Sequence, residues 1–216
     1  MTDSRRHQRQ TCSVLDPRFV YLAAALSVVG SASYVRDTLR GTTSPHRVTW
    51  SLWALEGILA FVVEIQQHVG AAAIMTLALG VMPLMVLVSS FVNPHAVWKV
   101  DVVDIVCGLV SLAGLVFWSL IHQPTTALVS FVTADFIAAW PTYRKSWRAP
   151  QSETPRIFVL GAVNTGITLL TLHQFTTAGA LFPGVIMMTD SILSVIILGR
   201  LGPRFAQRFS RRGDIA

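Results

Sequence analysis

Four polar residues that could do chemistry are predicted to lie at one depth in an otherwise apolar sequence: Glu56, Asp135, Asn164 and Asp190. Each stands eight or nine residues from the basic end of its apolar run, so the helical rise puts all four about 12–13 Å deep. A charged side chain at such a depth in a bilayer is costly, and it usually faces a bundle interior and acts on a proton, an ion or a substrate. We therefore expect one buried polar site.

The residues before Glu56 point to the walls of that site. The run RVTWSLWALEGILAF places Trp50 and Trp53 one to two turns earlier, and the i, i+3 spacing puts Trp53 on the same helix face as Glu56. Both tryptophans are predicted to contact the substrate. In the alternative interpretation, Glu56 reaches from a helix end to the headgroups or to a loop arginine such as Arg47 or Arg200. Depth fixes the height of a side chain but leaves its rotation about the helix axis open.

The elements that must position these residues are predicted to be membrane-spanning helices. Hydrophobic residues make up 52% of the chain and charged residues 13%, with a mean hydropathy of +0.56, which is typical of an integral membrane protein in a lipid bilayer. Seven apolar runs approach or reach the length of a spanning helix: Phe19 to Val35, Val48 to Ile65, Ala71 to Val92, Val100 to Ile121, Thr125 to Trp140, Ile157 to Leu172 and Ala178 to Leu198.

The positions of the basic residues predict the orientation. Of the 17 Lys and Arg, all but the four in the N-terminal tail follow the first, third, fifth or seventh run. Cytoplasmic loops collect such residues, so we expect a multi-pass protein of a bacterial plasma membrane with its N-terminus outside and its C-terminus in the cytoplasm. The same distribution argues against a nucleic-acid partner, despite the net charge of +6.

No metal site, disulfide or cofactor is predicted from the cysteines and histidines. The two cysteines, Cys12 and Cys107, and the six histidines show no metal-ligand spacing. Asp101 and Asp104 begin the fourth run, where acids favour a helix N-terminus. Trp118, near a run end, is interpreted as part of an interfacial aromatic belt. In a second interpretation of the N-terminal segment, it is a signal peptide cleaved after small residues.

An offset of 109 residues aligns the two halves of the chain, for example Tyr34 with Tyr143 and Gly57 with Gly166. The predicted fold is therefore all-α, with seven transmembrane helices in a 3+1+3 arrangement and a parallel internal repeat. The expected divisions are a polar tail (1–18), a three-helix repeat (19–92), a connector helix (100–121), a second three-helix repeat (125–201) and a basic C-terminal tail (202–216).

This organisation, together with the segment WPTYRKSW, resembles the PQ-loop and SWEET-like superfamily. The segments SYVRDTLRG, SPHRVTWSLWAL, FVNPHAVWKVDVVDIVCG and ADFIAAWPTYRKSWRAPQSE also resemble a family of small bacterial heptahelical membrane proteins. The sequence departs from the PQ-loop pattern because Pro141 is followed by Thr142 and because Ala32 and Ser33 stand where the first repeat would carry its proline dipeptide.

An acid in the second helix and an aspartate in the last are similar to the integral-membrane terpene cyclases of meroterpenoid and indole-sesquiterpene pathways. The resemblance implies that Glu56 and Asp190 are catalytic and start cyclisation by protonating an alkene or epoxide of a hydrophobic prenylated substrate, without a metal. The alternative is a SWEET-like transporter of a small polar solute, in which Asp135, Asn164 and Asp190 bind the solute. A receptor or assembly factor is a third possibility, and no particular oligomeric state is predicted.

Overall fold

The computed structural model describes residues 14–16, 18–66, 73–93, 99–121, 124–172 and 177–213, and it contains only helices within those ranges. The eight α helices and one 3₁₀ turn are α1 (Phe19–Leu39), α2 (Arg47–Gln66), α3 (Ala73–Val92), α4 (Val102–Leu120), α5 (Pro124–Arg148), the turn Pro150–Ser152, α6 (Pro155–Leu170), α7 (Thr177–Gly199) and α8 (Leu201–Gly213). The all-α prediction is confirmed.

Each of the seven apolar runs corresponds, over most of its described residues, to one α helix, and two helical segments extend beyond the expected bounds. Helix α5 continues through Pro141 to Arg148, eight residues past the predicted end at Trp140. The sequence TYRKSW is polar, so hydropathy marked the end of the apolar run and not the end of the helix. The predicted basic tail also begins with a helix, α8, whose residues separate strongly into apolar and basic faces.

Two stretches among the described residues are long and apolar enough to cross a membrane by length and composition, Phe19–Leu39 and Ala180–Gly199. Shorter apolar stretches are found at Leu77–Val92, Val102–Trp118 and Pro155–Leu170.

Six of the helices, α1 to α3 and α5 to α7, form two units with the same packing. Helix α3 packs on both α1 and α2, and α7 packs on both α5 and α6. Between the units, α1 packs on α6, and the counterpart pair α2 and α5 also pack together. The helices thus form a closed ring in the order α1, α3, α2, α5, α7, α6, with α4 outside against α5 and α2. This is the packing that a parallel repeat of three helices would produce.

Two glycines bring α2 and α3 together next to Glu56. A Cβ atom added at Gly57 would overlap the backbone of Gly80, and one added at Gly80 would overlap the backbone of α2. The backbone atoms of the two helices cannot move aside to make room for a side chain. Only glycine, which has a hydrogen in place of Cβ, therefore allows the helices to approach this closely. This contact fixes the position of α2, and therefore of Glu56, relative to α3.

A buried polar cluster, here called the loop-end cluster, ties the two units together where α1 and α5 end. Lys145 Nζ lies 2.7 Å from Glu153 Oε1, and both side chains are fully buried. The Tyr34 hydroxyl donates to Glu153 Oε2 at 2.6 Å, and Lys145 Nζ donates to the Ser44 carbonyl oxygen. One carboxylate therefore joins α1, α5 and the segment before α6.

The loop-end cluster continues to the start of α4. Asp101 and Asp104 form a reciprocal capping box there, which confirms their predicted structural role. Arg144 lies 2.9 Å from Asp101 Oδ2 and 3.1 Å from Asp104 Oδ1, and His46 Nε2 lies 3.2 Å from Asp104 Oδ2. His46 is buried because it fills the space between the start of α2 and α4.

Candidate functional site

A cavity of about 570 Å³ lies inside the ring of six helices. It is lined by all six residues that the sequence analysis assigned to a site: Trp50, Trp53, Glu56, Asp135, Asn164 and Asp190. Four helices supply them, with α2 carrying the first three and α5, α6 and α7 one each. The predicted equal depth thus corresponds to a common cavity, and Glu56 does not reach out to a loop arginine.

Two of the carboxyl groups are in contact. Glu56 and Asp135 are only 3% and 6% exposed, and their carboxyl groups lie close enough to interact directly. Asp190 interacts with Asp135 electrostatically across the cavity. The sequence analysis paired Glu56 with Asp190 and gave Asp135 a substrate-binding role. The structure instead places Asp135 beside Glu56, between the two predicted acids.

Several polar atoms at this site are buried without a hydrogen-bond partner among the described residues. They are Glu56 Oε1, Thr189 Oγ1 and the indole nitrogens of Trp50 and Trp53. The Trp53 indole lies beside the Asp135 carboxyl group but lacks the geometry of a hydrogen bond. An unsatisfied buried polar group costs about 1–3 kcal/mol, so these atoms are available to a ligand that can pair with them.

Asp190 and Asn164 are held by residues that the sequence analysis missed. Gly161 on α6 faces Asp190, and a Cβ atom at position 161 would overlap Asp190 Oδ2. Asn164, one turn further along α6, donates from Nδ2 to Ser27 Oγ on α1. The sequence did contain a signal for this contact. Gly161, one turn before Asn164, has no side chain and so leaves room for a group on a neighbouring helix.

Aromatic rings form much of the remaining wall. Besides Trp50 and Trp53, the cavity is lined by Trp118, Phe131, Phe158 and Phe182. The Phe131 ring centroid lies 5.2 Å from that of Trp118 and 5.0 Å from that of Phe182. Trp118 was predicted to be an interfacial residue, but it lines the cavity because α4 packs where α2 and α5 meet. Phe131 stands four residues before Asp135, a helical spacing that could have revealed it.

The charge of the site is one-sided. None of the described residues that line the cavity is a lysine, arginine or histidine, although three carboxyl groups line it. No set of three described His, Cys, Asp or Glu side chains is arranged to hold a metal ion. Such a site can donate a proton from a carboxyl group and can stabilise positive charge through carboxylates and ring faces.

The polar groups and the aromatic rings are distributed around the whole ring, so that both three-helix units contribute to the same cavity. α2 brings an acid and two tryptophans, and α7 brings an acid and Phe182. Comparisons of the chain with models of protein families, with curated proteins and with solved structures found no match.

Proposed function

We propose that this chain is a membrane-bound terpene cyclase, which converts a prenylated substrate, with or without an epoxide, by acid-initiated carbocation cyclisation. The observation that carries the proposal is the contact of Glu56 with Asp135 at the wall of an aromatic cavity that lacks basic residues. That combination supplies a proton to an apolar substrate and then tolerates the positive charge that results.

The proposed setting is a bacterial plasma membrane, with α1 to α7 crossing it and the C-terminus in the cytoplasm. Support comes from the outer face of α4, where large apolar side chains are exposed, among them Ile105, Leu109, Val116, Phe117 and Leu120. An apolar face of this size is costly in water but not in lipid. The basic loops at one end support the orientation.

Protonation is assigned to the Glu56–Asp135 pair. Two carboxyl groups in contact, away from water, favour a state in which they hold one proton between them, because two adjacent negative charges repel each other. Glu56 would transfer that proton to an epoxide oxygen or to an alkene carbon. In the first case a C–O bond breaks, and in both cases an alkene of the same molecule attacks the cationic carbon and forms the ring bond.

Completion of the reaction is assigned to Asp190 on α7, the helix next to α5 in the ring. The Asp190 carboxylate would accept the proton lost from the last cation, so the product has the mass of the substrate. The aromatic rings that line the cavity, such as those of Trp53 and Phe131, would stabilise intermediate cations. The apolar lining would keep water from capturing them.

The test is product formation in membranes that contain the protein. Epoxidised farnesyl-indole is incubated with the parent protein and with Glu56→Gln, Asp190→Asn and Asp101→Asn variants, at matched protein levels. We expect a product of unchanged mass and altered chromatographic retention from the parent and from the Asp101 variant, which lies outside the cavity. Cyclisation at the parental rate by both cavity variants would overturn the proposal.

A second candidate, a carrier of a small polar solute, is favoured by the positions of two prolines. Pro83 in α3 and Pro183 in α7 both line the cavity, and these helices are the third of each unit. Prolines inside helices permit bending, so the pair could act as hinges. Pro141, inside α5, does not line this cavity. Uptake of labelled sugars, amino acids or vitamins into sealed proteoliposomes would support transport, and no uptake would exclude those solutes.

A further inference from the structure

We infer that the cavity also binds stable apolar organic monocations, such as quaternary phosphonium and ammonium ions, without converting them. The inference deepens the proposed function and rests on it, because it uses the same carboxyl groups and the same aromatic rings. Three features of the site carry it: the one-sided charge, an unpartnered buried oxygen and the arrangement of the rings.

The charge of the site favours a cationic ligand. Glu56, Asp135 and Asp190 surround one space, and none of the described lining residues supplies a positive charge. Away from bulk water the interaction of two charges is several times stronger than in water. A monocation in the cavity is therefore attracted by every carboxylate there, whereas an anion of equal size is repelled.

The unpartnered atom gives the ligand a place to bind. Glu56 Oε1 is buried without a hydrogen-bond partner in the described structure, while the same carboxyl group contacts Asp135. A protonated tertiary amine could donate its N–H to this oxygen, and a quaternary ion could place its charge beside it. Either ligand offsets part of the cost of leaving a carboxyl oxygen unsatisfied.

The rings select the kind of cation. A desolvated cation is attracted to the face of an aromatic ring, and the cavity has six aromatic side chains in its wall. Large organic cations lose little hydration when they enter such a space. The volume of about 570 Å³ also suits a drug-sized molecule better than a bare inorganic ion.

The experiment compares two probes of the same shape and opposite charge, tetraphenylphosphonium and tetraphenylborate. Their binding to the purified protein in neutral detergent is measured by equilibrium dialysis. We expect the phosphonium ion to bind at least about tenfold more tightly than the borate ion. Asp190→Asn removes a carboxylate and should weaken phosphonium binding about tenfold, whereas Asp101→Asn should leave it unchanged. Glu56→Gln should weaken it less, because the Glu56–Asp135 pair, which holds one proton, carries a single negative charge before and after the substitution.

Gel filtration of each variant shows whether it has folded, and the nearly isosteric Gln and Asn replacements are chosen for that reason. Equal affinity for the two probes would overturn the inference, as would unchanged phosphonium binding by folded cavity variants. The cyclisation assay on the same preparations separates the two ideas. If the protein binds the phosphonium ion but forms no cyclic product, the cyclase proposal is wrong and this inference stands. If it forms the cyclic product but binds both probes equally well, this inference is wrong and the cyclase proposal stands.

Discussion

Glu56 in the cavity and Glu153 in the loop-end cluster are buried to the same extent but have opposite surroundings. Glu56 is 3% exposed and Glu153 is 5% exposed. Glu153 lies 2.7 Å from Lys145 and accepts a hydrogen bond from Tyr34, while Asp104 lies within 3.2 Å of both Arg144 and His46. Glu56 contacts another acid and keeps one oxygen unpartnered.

Burial therefore does not separate a functional acid from a structural one in this protein, but the partner does. A buried carboxylate with a basic partner and hydrogen bonds is satisfied, and removing one member of the pair leaves an uncompensated charge. A buried carboxyl group without such a partner lowers stability and is retained for another reason. The comparison predicts that substitutions of the cavity acids mainly lower activity, whereas substitutions in the loop-end cluster mainly lower stability.

The largest expected effect is on activity in the cavity. Glu56→Gln removes the proposed proton donor while keeping the shape of the side chain, so cyclisation should fall about 10²–10⁴-fold. Stability should change little or rise, because the variant no longer places two carboxyl groups in contact. Product formation and thermal unfolding in detergent are measured on the same preparation. A large loss of stability with activity retained would reverse the roles assigned to the two regions.

In the loop-end cluster we expect the opposite result. Glu153→Gln leaves the buried Lys145 ammonium group without the carboxylate that neutralises it, which should lower the free energy of unfolding by about 3–5 kcal/mol. Replacing both members, Lys145→Met with Glu153→Leu, should recover part of that loss. Denaturant unfolding in mixed micelles measures both. If Glu153→Gln were as stable as the parent, the ion pair would not hold the two units together.

A smaller effect is expected from crowding Asp190. Gly161→Ala would place a methyl group where Asp190 Oδ2 lies and so displace the carboxyl group, and we expect cyclisation to fall about tenfold. Gly184→Ala is the matched control, since a Cβ atom there meets no atom within 4 Å. Equal activity of the two alanine variants would show that the position of Asp190 is unimportant.

The smallest effect is expected from the titration of His46. Burial lowers the pKa of His46 below its ordinary value of about 6.5, although Asp104 opposes this. The unfolded chain then binds a proton more readily than the folded protein does, so stability is present above about pH 6.5 and is lost as the pH falls below it. Thermal unfolding from pH 7.5 to 5.5 should show this decline, and His46→Gln should reduce it. An identical decline in the variant would mean that another group is responsible.

The sequence by itself determined the helices and the height of the polar residues along them. The apolar runs predicted α1 to α7, the acids before α4 predicted its capped start, and the count from each basic helix end put Glu56, Asp135 and Asp190 at one level. These properties depend on residues that are neighbours along the chain, through hydrogen bonding within a helix and its fixed rise per residue.

Only the tertiary structure decided which groups meet across helices. It paired Glu56 with Asp135 and placed Asp190 beside Gly161. It also brought Trp118 from outside the ring into the cavity wall. The rotation of each helix about its axis is set by packing against its neighbours, through contacts such as that of Gly57 with Gly80. No spacing within one helix encodes that rotation, because it depends on residues far apart in the chain.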